Sequence, residues 1–564
     1  MWKIKTVAAC FIILLLFTGG SWLVYKQSGI ELEKIKTDFF SQHFKNIKLR
    51  FDQDKYITDN QRQVDILHYD LFFDLFPEKK KFDASAKITA VLKTKGLNSL
   101  DLNFYDNFKI NLVELNGKKA DYTYEGKLIS IVIDHSIPDT FKVKIEYSGT
   151  PESAGFGGFS FAKINGKSLV YSISEPTYAS TWFPCNDFPN DKALLDIRIK
   201  NDSSQVSVSN GILVDVVNDN LRRTYHWKTI YPISTYLIAL YSSGYKHFSD
   251  SYISIDGKDT MNIDYYVLPN DYKNAQIDFA EHVEILSFLA ETFGEYPFIG
   301  EKYGIAEFLW QRGAMEHQTI TGVGSNLVGG KNFFLDIYIH EAAHQWWGNA
   351  VGLKSWKDIW LNEGFSSYCE ALYFEHKSGS SALQATMQSK RQRKFIGSLD
   401  EPGAFLFNST IYDKGAWVLH MLRWELGDKI FFKILREYYR KYKYSNASTG
   451  DFINVCESVS GKDLDKFFDQ WIIGVGEIEL NYNWETIQIG DNYKTIIDLK
   501  QVQDKYEEYH FTLEIGMQYE VDEIKYHKFY INSNLMQLTI SSSKKPESIL
   551  IDPNQRLLLS AKSK

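Results

Sequence analysis

The pentapeptide His340-Glu341-Ala342-Ala343-His344 constrains this chain more than any other stretch. On a helix, residues four apart stand one above the other on a single face. Two imidazoles so placed can share a tetrahedral zinc ion, with Glu341 beside the metal. The pattern therefore asks for a helix with one functional face. Ile339, Trp346 and Trp347 make the neighbourhood apolar, which argues against two surface histidines. A zinc that keeps one position open for water needs a third protein ligand. Asn362-Glu363-Gly364 supplies a carboxylate after 18 residues that intervene between His344 and Glu363. A turn at Gly348-Asn349 and a short connection would bring a second helix back and deliver Glu363 to the metal. The result is a His2Glu site of the hydrolytic type, with one zinc per chain. Glu370 lies two turns beyond Glu363 on the same face. A hydrogen bond to a ligand histidine and a plain structural or surface role both stand open for it.

The rest of the chain divides by its periodicities. Tyr69, Leu71, Phe73 and Leu75 alternate with polar residues, as do Ala86, Ile88, Ala90 and Leu92, which marks half-buried strands. Asn116-Gly117 and Asn165-Gly166 are turn signals between later strands. From about residue 270 the pattern is helical, over 275–293, 333–348, 363–376 and 415–426. Strand alternation returns at Ile478, Leu480, Tyr482 and Trp484, and again from Phe511 to Tyr519. Residues 61–250 read as an N-terminal β domain, 251–476 as the catalytic domain and 477–564 as a small β-sandwich.

The N-terminus reads differently. Lys3 and Lys5 precede an uncharged run from Thr6 to Tyr25, long enough for a helix to cross a bilayer. Residues 1–28 are a transmembrane anchor or a signal segment. The run lacks a good small-residue cleavage site, which favours the anchor. The positive residues then put the short end in the cytoplasm and the rest of the chain outside, at the cell surface or in the periplasm. Secretion after signal cleavage is the alternative. Residues 29–60 read as a charged stalk. The net charge of -8 argues against nucleic acid as a partner. Cys185, Cys369 and Cys456 fit no zinc or disulfide spacing and read as buried thiols, with room for one unassigned disulfide. The oligomeric state is left open.

Further segments carry a resemblance. They are Gly313-Ala314-Met315-Glu316, then His340-Glu341 through His344-Gln345-Trp346-Trp347-Gly348-Asn349, then Trp360-Leu361-Asn362-Glu363-Gly364-Phe365. Tyr412-Asp413-Lys414-Gly415 follows, and Phe183-Pro184-Cys185 with Asp187, Pro189 and Lys192-Ala193 precedes. In this order the chain resembles the aminopeptidase N family of zinc metallopeptidases, which also contains the leukotriene hydrolase. The resemblance implies a multidomain α+β protein. It would have an N-terminal β-sheet domain, a thermolysin-like, mainly helical catalytic domain and a C-terminal β-sandwich, preceded by the transmembrane or signal helix.

The resemblance also implies roles that spacing does not show. Glu316 would bind the substrate's free α-amine, with Glu175 as a second amine-binding group. Gly313 and Ala314 would line the bound peptide, and Tyr412 would donate to the oxyanion. The expected partners are peptides with a free N-terminus, and the expected reaction is hydrolysis of their first peptide bond with Glu341 as general base. Two positions depart from the family's pattern: His317 stands where most members have Asn, and Ser180 where many have Arg. Three readings compete: a thermolysin-type endopeptidase, a peptide-binding protein with a vestigial site, and an epoxide hydrolase.

Overall fold

The computed structural model describes residues 57–133, 137–391, 395–401 and 406–564. The expected anchor at 1–28 and the stalk as far as residue 56 lie outside the described residues. Among those described, no helix is long and apolar enough to cross a membrane.

The first long strand, β1 (Val64–Phe76), shows how the sequence pattern becomes a sheet. It buries Val64 and Ile66, then Tyr69, Leu71, Phe73 and Leu75. The parity flips once, between Ile66 and Tyr69. A β-bulge lies at that point, and Leu67 is left exposed. One extra residue on one strand turns the following side chains to the other face. Strand β2 (Lys81–Leu92) pairs antiparallel with β1 and buries Phe82, Ala84, Ala86, Ile88 and Ala90. Strand β3 (Leu194–Asp202) pairs parallel on the other side of β1. The three lie at the centre of an eight-stranded sheet. A five-stranded sheet that includes Gly157–Ile164 and Lys167–Ile173 packs against it through Phe73, Phe82 and Phe159. Both expected turns are two-residue hairpin loops with positive φ at Asn116, Gly117, Asn165 and Gly166. Asparagine and glycine tolerate that backbone region, which matches the twist of the flanking strands.

Another five-stranded sheet spans Lys246 to Gly324 and escapes the period-two reading, which took 251 onward as mainly helical. Its central strand, β4 (Tyr303–Phe308), has all six residues buried. A strand covered on both faces has no alternation to detect. Its edge strand β5 (Ala314–Met315) pairs antiparallel with β6 (Thr321–Gly324). The helical stretch expected over 275–293 is two helices, Tyr272–Asp278 and His282–Phe293. The Asp278 carboxylate accepts from the N–H groups of Gly329, Gly330 and Asn332.

Three helices carry the site: α1 (Leu335–Ala343), α2 (Trp360–Ser378) and α3 (Gly415–Leu426). Beyond them, a four-stranded and a three-stranded sheet occupy Ile478–Ser563. Phe511, Leu513, Ile515, Met517 and Tyr519 are buried as their alternation predicts. Tyr482 and Trp484 are only half-buried. Cys185, Cys369 and Cys456 are buried free thiols.

Candidate metal and amine site

Helix α1 presents the two histidines as the four-residue spacing requires. Their rings are 4.6 Å apart, and their Nε2 atoms face each other at 3.0 Å. The chain turns at Gly348 (φ +119), passes through Val351–Leu353 and enters α2 at Trp360. Glu363 therefore falls in the first turn of α2. Its Oε2 lies 3.2 Å from His340 Nε2 and 3.3 Å from His344 Nε2.

The outer partners fix which nitrogen carries the proton. His340 Nδ1 lies 2.8 Å from Glu370 Oε1, and His344 Nδ1 lies 3.0 Å from the Trp347 carbonyl. Both oxygens are acceptors, so both Nδ1 atoms donate. Two Nε2 lone pairs and a carboxylate oxygen are left facing one another. A metal cation satisfies three acceptors arranged so; without one, a second imidazole proton does part of the same. Zinc bond lengths of about 2.0–2.1 Å on a tetrahedron put neighbouring donors about 3.3 Å apart. The three observed separations match, so the residues fit one zinc ion. The protein's own groups give the same sign. Burial works to lower the His340 pKa, but hydrogen bonds to Glu363 and Glu370 overcome it and raise it to about 10. Glu370 is thus hydrogen-bonded to His340, and its second oxygen lies 2.5 Å from Lys390 Nζ.

Four carboxylates gather here: Glu175, Glu316, Glu341 and Glu363, all buried. Glu175, Glu316 and Glu363 offer oxygens that all lie within 4.8 Å of one another. Glu175 Oε1, Glu316 Oε1 and Glu341 Oε2 have no hydrogen-bond partner. Burial, then the neighbouring Glu316, pushes Glu175 far above the carboxylate range. Burial raises Glu316 as well, against the pull of His344. Burial, with Glu316 adding to it, lifts Glu341 to about 8. Burial and mutual repulsion favour the protonated form of such a cluster until a cation enters it.

Glu316 follows the edge strand β5; half-buried Ala314 opens that strand, and half-buried Gly313 comes just before it. Gly313 adopts a positive φ of +145, and its carbonyl accepts from the Gly324 N–H. Tyr412 sits on a one-turn π-helix, Thr410–Lys414, directly before α3, and its ring stacks on His340 at 5.8 Å. Burial holds its hydroxyl far above its ordinary pKa, so it stays a proton donor. His317 is buried and bonded through Nδ1 to the Tyr241 hydroxyl at 2.7 Å. Burial lowers its pKa to about 3, so the ring is neutral. Ser180 is buried, and its N–H donates to Asp187 Oδ2.

Helices α2 and α3 meet at two glycines. A Cβ on Gly364 would lie 2.8 Å from the Gly415 Cα and 2.9 Å from its carbonyl carbon. No side chain can be accommodated there without moving backbone. The close approach brings Glu363, one residue before Gly364, beside Tyr412, three before Gly415. Gly364→Ala should therefore destabilise the fold by about 1–3 kcal/mol through overpacking and loosen metal retention as well. Thermal unfolding and zinc content measured together check this; a variant with wild-type values in both would contradict it.

Several positioning residues carry no spacing signal. Asn349 Nδ2 donates to the Glu316 carbonyl at 2.7 Å, and Gln345 Nε2 reaches the same carbonyl and that of His317. Asn362 donates to the Tyr236 hydroxyl, which donates to the Gly348 carbonyl. Gln345 and Asn349 lie within the run after His344, but only their fold neighbours reveal what they hold.

A histidine pair on one helix, a glutamate from the next and an N-terminal β region contributing a buried carboxylate define a metallohydrolase-type centre. The particular lineage follows from sequence comparison: the Peptidase family M1 domain matches residues 278–471 and the Peptidase M1 N-terminal domain residues 66–237. The chain belongs to the M1 peptidase family. Aminopeptidase 2, mitochondrial, of Saccharomyces cerevisiae is 27% identical over 482 residues, covering 78% of this chain and 50% of its own length. Aminopeptidase N of Lactococcus lactis is 28% identical over 446 residues, covering 72% of this chain and 50% of its own. This chain thus spans about half the length of these relatives. The M1 zinc metallopeptidase of Deinococcus radiodurans shares the fold with a TM-score of 0.66 at 23% identity, over 73% of this chain and 95% of that one. Legionella pneumophila aminopeptidase A superposes with a TM-score of 0.76 at 18% identity, over 89% of this chain and 60% of its own.

Proposed function

We propose that this protein is a zinc aminopeptidase that hydrolyses the first peptide bond of peptides with a free N-terminus. The observation that carries the reading is the pair of unpartnered carboxylate oxygens on Glu175 and Glu316, beside the His2Glu triad. An endopeptidase needs no buried anionic pocket at that place. A substrate ammonium would satisfy both oxygens, and its charge would set which peptide bond meets the metal. The names of the relatives support this, as does the D. radiodurans fold neighbour, crystallised with a Tyr-Ser-Ala substrate.

His340, His344 and Glu363 would hold the zinc. When bound, zinc lowers the pKa of a water toward neutrality and polarises a carbonyl. Glu341, whose Oε2 has no hydrogen-bond partner, accepts the water's proton and returns it to the leaving amine. Tyr412 donates its hydroxyl proton as a hydrogen bond to the developing oxyanion. Gly313 and Ala314, at the start of an edge strand, line the bound peptide. Glu370 holds the His340 ring through Nδ1. Aminoacyl-fluorophore substrates, free and N-acetylated, with and without a chelator, test the whole reading. Turnover should require the free amine, cease on chelation and return with zinc. Equal cleavage of both substrate forms would favour the endopeptidase instead.

The chain is further read as three folded domains, 61–250, 251–476 and 477–564, behind an N-terminal anchor that keeps the catalytic region outside the cytoplasm. The apolar run Thr6–Tyr25 supports the anchor. The mature protein should remain with membranes; N-terminal sequencing that begins beyond residue 20 would show a cleaved signal instead.

A further inference from the structure

The turn that leaves the histidine helix is gripped from a distant part of the chain. Lys192 lies two residues before β3, in the N-terminal β region. Its Nζ donates to the carbonyls of Asn349 at 2.7 Å and Ala350 at 3.1 Å, 157 residues away in sequence for the first. Asn349 is the residue whose side chain donates to the Glu316 carbonyl at 2.7 Å. Its own N–H bonds the His344 carbonyl at 3.0 Å. One ammonium therefore fixes the backbone from which Glu316 is held.

The slot for this lysine is built. A Cβ on Gly352 would lie 2.7 Å from Lys192 Cε and 3.0 Å from Nζ, so a side chain at Gly352 would displace it. Burial depresses Lys192 to about 7, and in either protonation state its Nζ keeps N–H donors for the two turn carbonyls. Two carbonyl acceptors in a turn are what keep it there. Lysine in such a place holds peptide groups rather than solubilising a surface.

We propose that Lys192 is a positioning residue for the substrate's amine: it clamps Asn349, and through Asn349 it sets the Glu316 carboxylate at the register where the first peptide bond meets the metal. This rests on the aminopeptidase reading. It makes the N-terminal β region a structural partner in substrate register, through a contact remote from the pocket itself. A lysine that only joined two regions of the chain would affect stability and the active fraction, not the affinity for a free amine.

The test uses the full-length, zinc-loaded protein. Lys192→Met should raise KM for free-amine aminoacyl substrates roughly 10–100-fold, the scale on which misplacing a binding group acts. The kcat should stay within about 3-fold, since the lost interaction is a binding one. Zinc stoichiometry should not change, and Lys192→Arg should recover part of the KM. Asn349→Ala, which keeps the lysine, should reproduce the rise and decides the question if Lys192→Met fails to fold. In a Glu316→Ala background, Lys192→Met should add less than about 2-fold, because both act through one carboxylate. A wild-type KM in Lys192→Met, or fully multiplicative losses in the double variant, overturns the proposal. Wild-type protein that ignores the free amine overturns the aminopeptidase reading and this one together. A wild type that requires the amine, with Lys192→Met unaffected, overturns this one alone.

Discussion

Glu341→Gln should remove nearly all peptide hydrolysis while leaving the zinc in place. The substitution keeps the size of the side chain and removes its ability to accept a proton. General acid–base catalysis by a positioned group contributes about 100–10,000-fold, and kcat should fall by that order for every substrate. Glu341 is not among the three atoms that converge on the metal position, so zinc stoichiometry should remain one per chain. Its Oε2 has no partner among the protein's own groups, which leaves it free for water. Burial lifts its affinity for protons toward the neutral range, where a base both accepts and returns a proton. Steady-state kinetics beside elemental analysis decide the matter. A zinc-loaded Glu341→Gln protein within tenfold of wild type would remove Glu341 from the proton path.

Glu316→Ala should separate exopeptidase from endopeptidase. The carboxylate would pair with the substrate ammonium in the ground state and in the transition state alike. Truncating one partner of a buried charge pair costs roughly 2–5 kcal/mol, so kcat/KM for free-amine substrates should fall by roughly 30-fold to several thousand-fold, at about 1.4 kcal/mol per decade. N-acetylated substrates, already poor, should change little. Zinc should stay, because His340, His344 and Glu363 are untouched. Glu175 Oε1 is also unpartnered and would take some of the ammonium's charge, which sets the lower end of the range. Undiminished turnover of free-amine peptides by Glu316→Ala would retire the amine anchor and raise the endopeptidase reading above it.

The two histidines and Glu363 were legible because their chemistry is local. A four-residue helical repeat fixes the relation of His340 to His344, and one short connection returns Glu363. The strand alternation of β1 was equally plain, although its phase shift at Leu67 acquires a meaning only as a bulge against β2. The fully buried β4 gave no alternation, so the sheet that ends beside Glu316 went unread. Glu175, Glu316 and Tyr412 come from three separate segments, and residue spacing alone relates none of them to the metal; resemblance to a family was needed to name them. Glu370 had two open readings, and its 2.8 Å approach to His340 favours the one in which it bonds that histidine.

The sequence by itself pointed to His340, His344 and Glu363 as the proposed ligand set, to the helix that bears the histidines and to the strand-rich character of both flanking regions, since each depends on residues within one or two turns or along one strand. Tertiary structure alone decided the carboxylate cluster proposed as the amine pocket, and its supports. Glu175 reaches Glu316 only because the N-terminal β region folds onto the catalytic one. Glu363 and Tyr412 stand together because Gly364 and Gly415 let two helix backbones touch. Lys192, Asn349 and Lys390 act on carbonyls and carboxylates brought from elsewhere in the chain. A hydrogen bond between groups far apart in sequence has no period, and only the folded chain makes it exist.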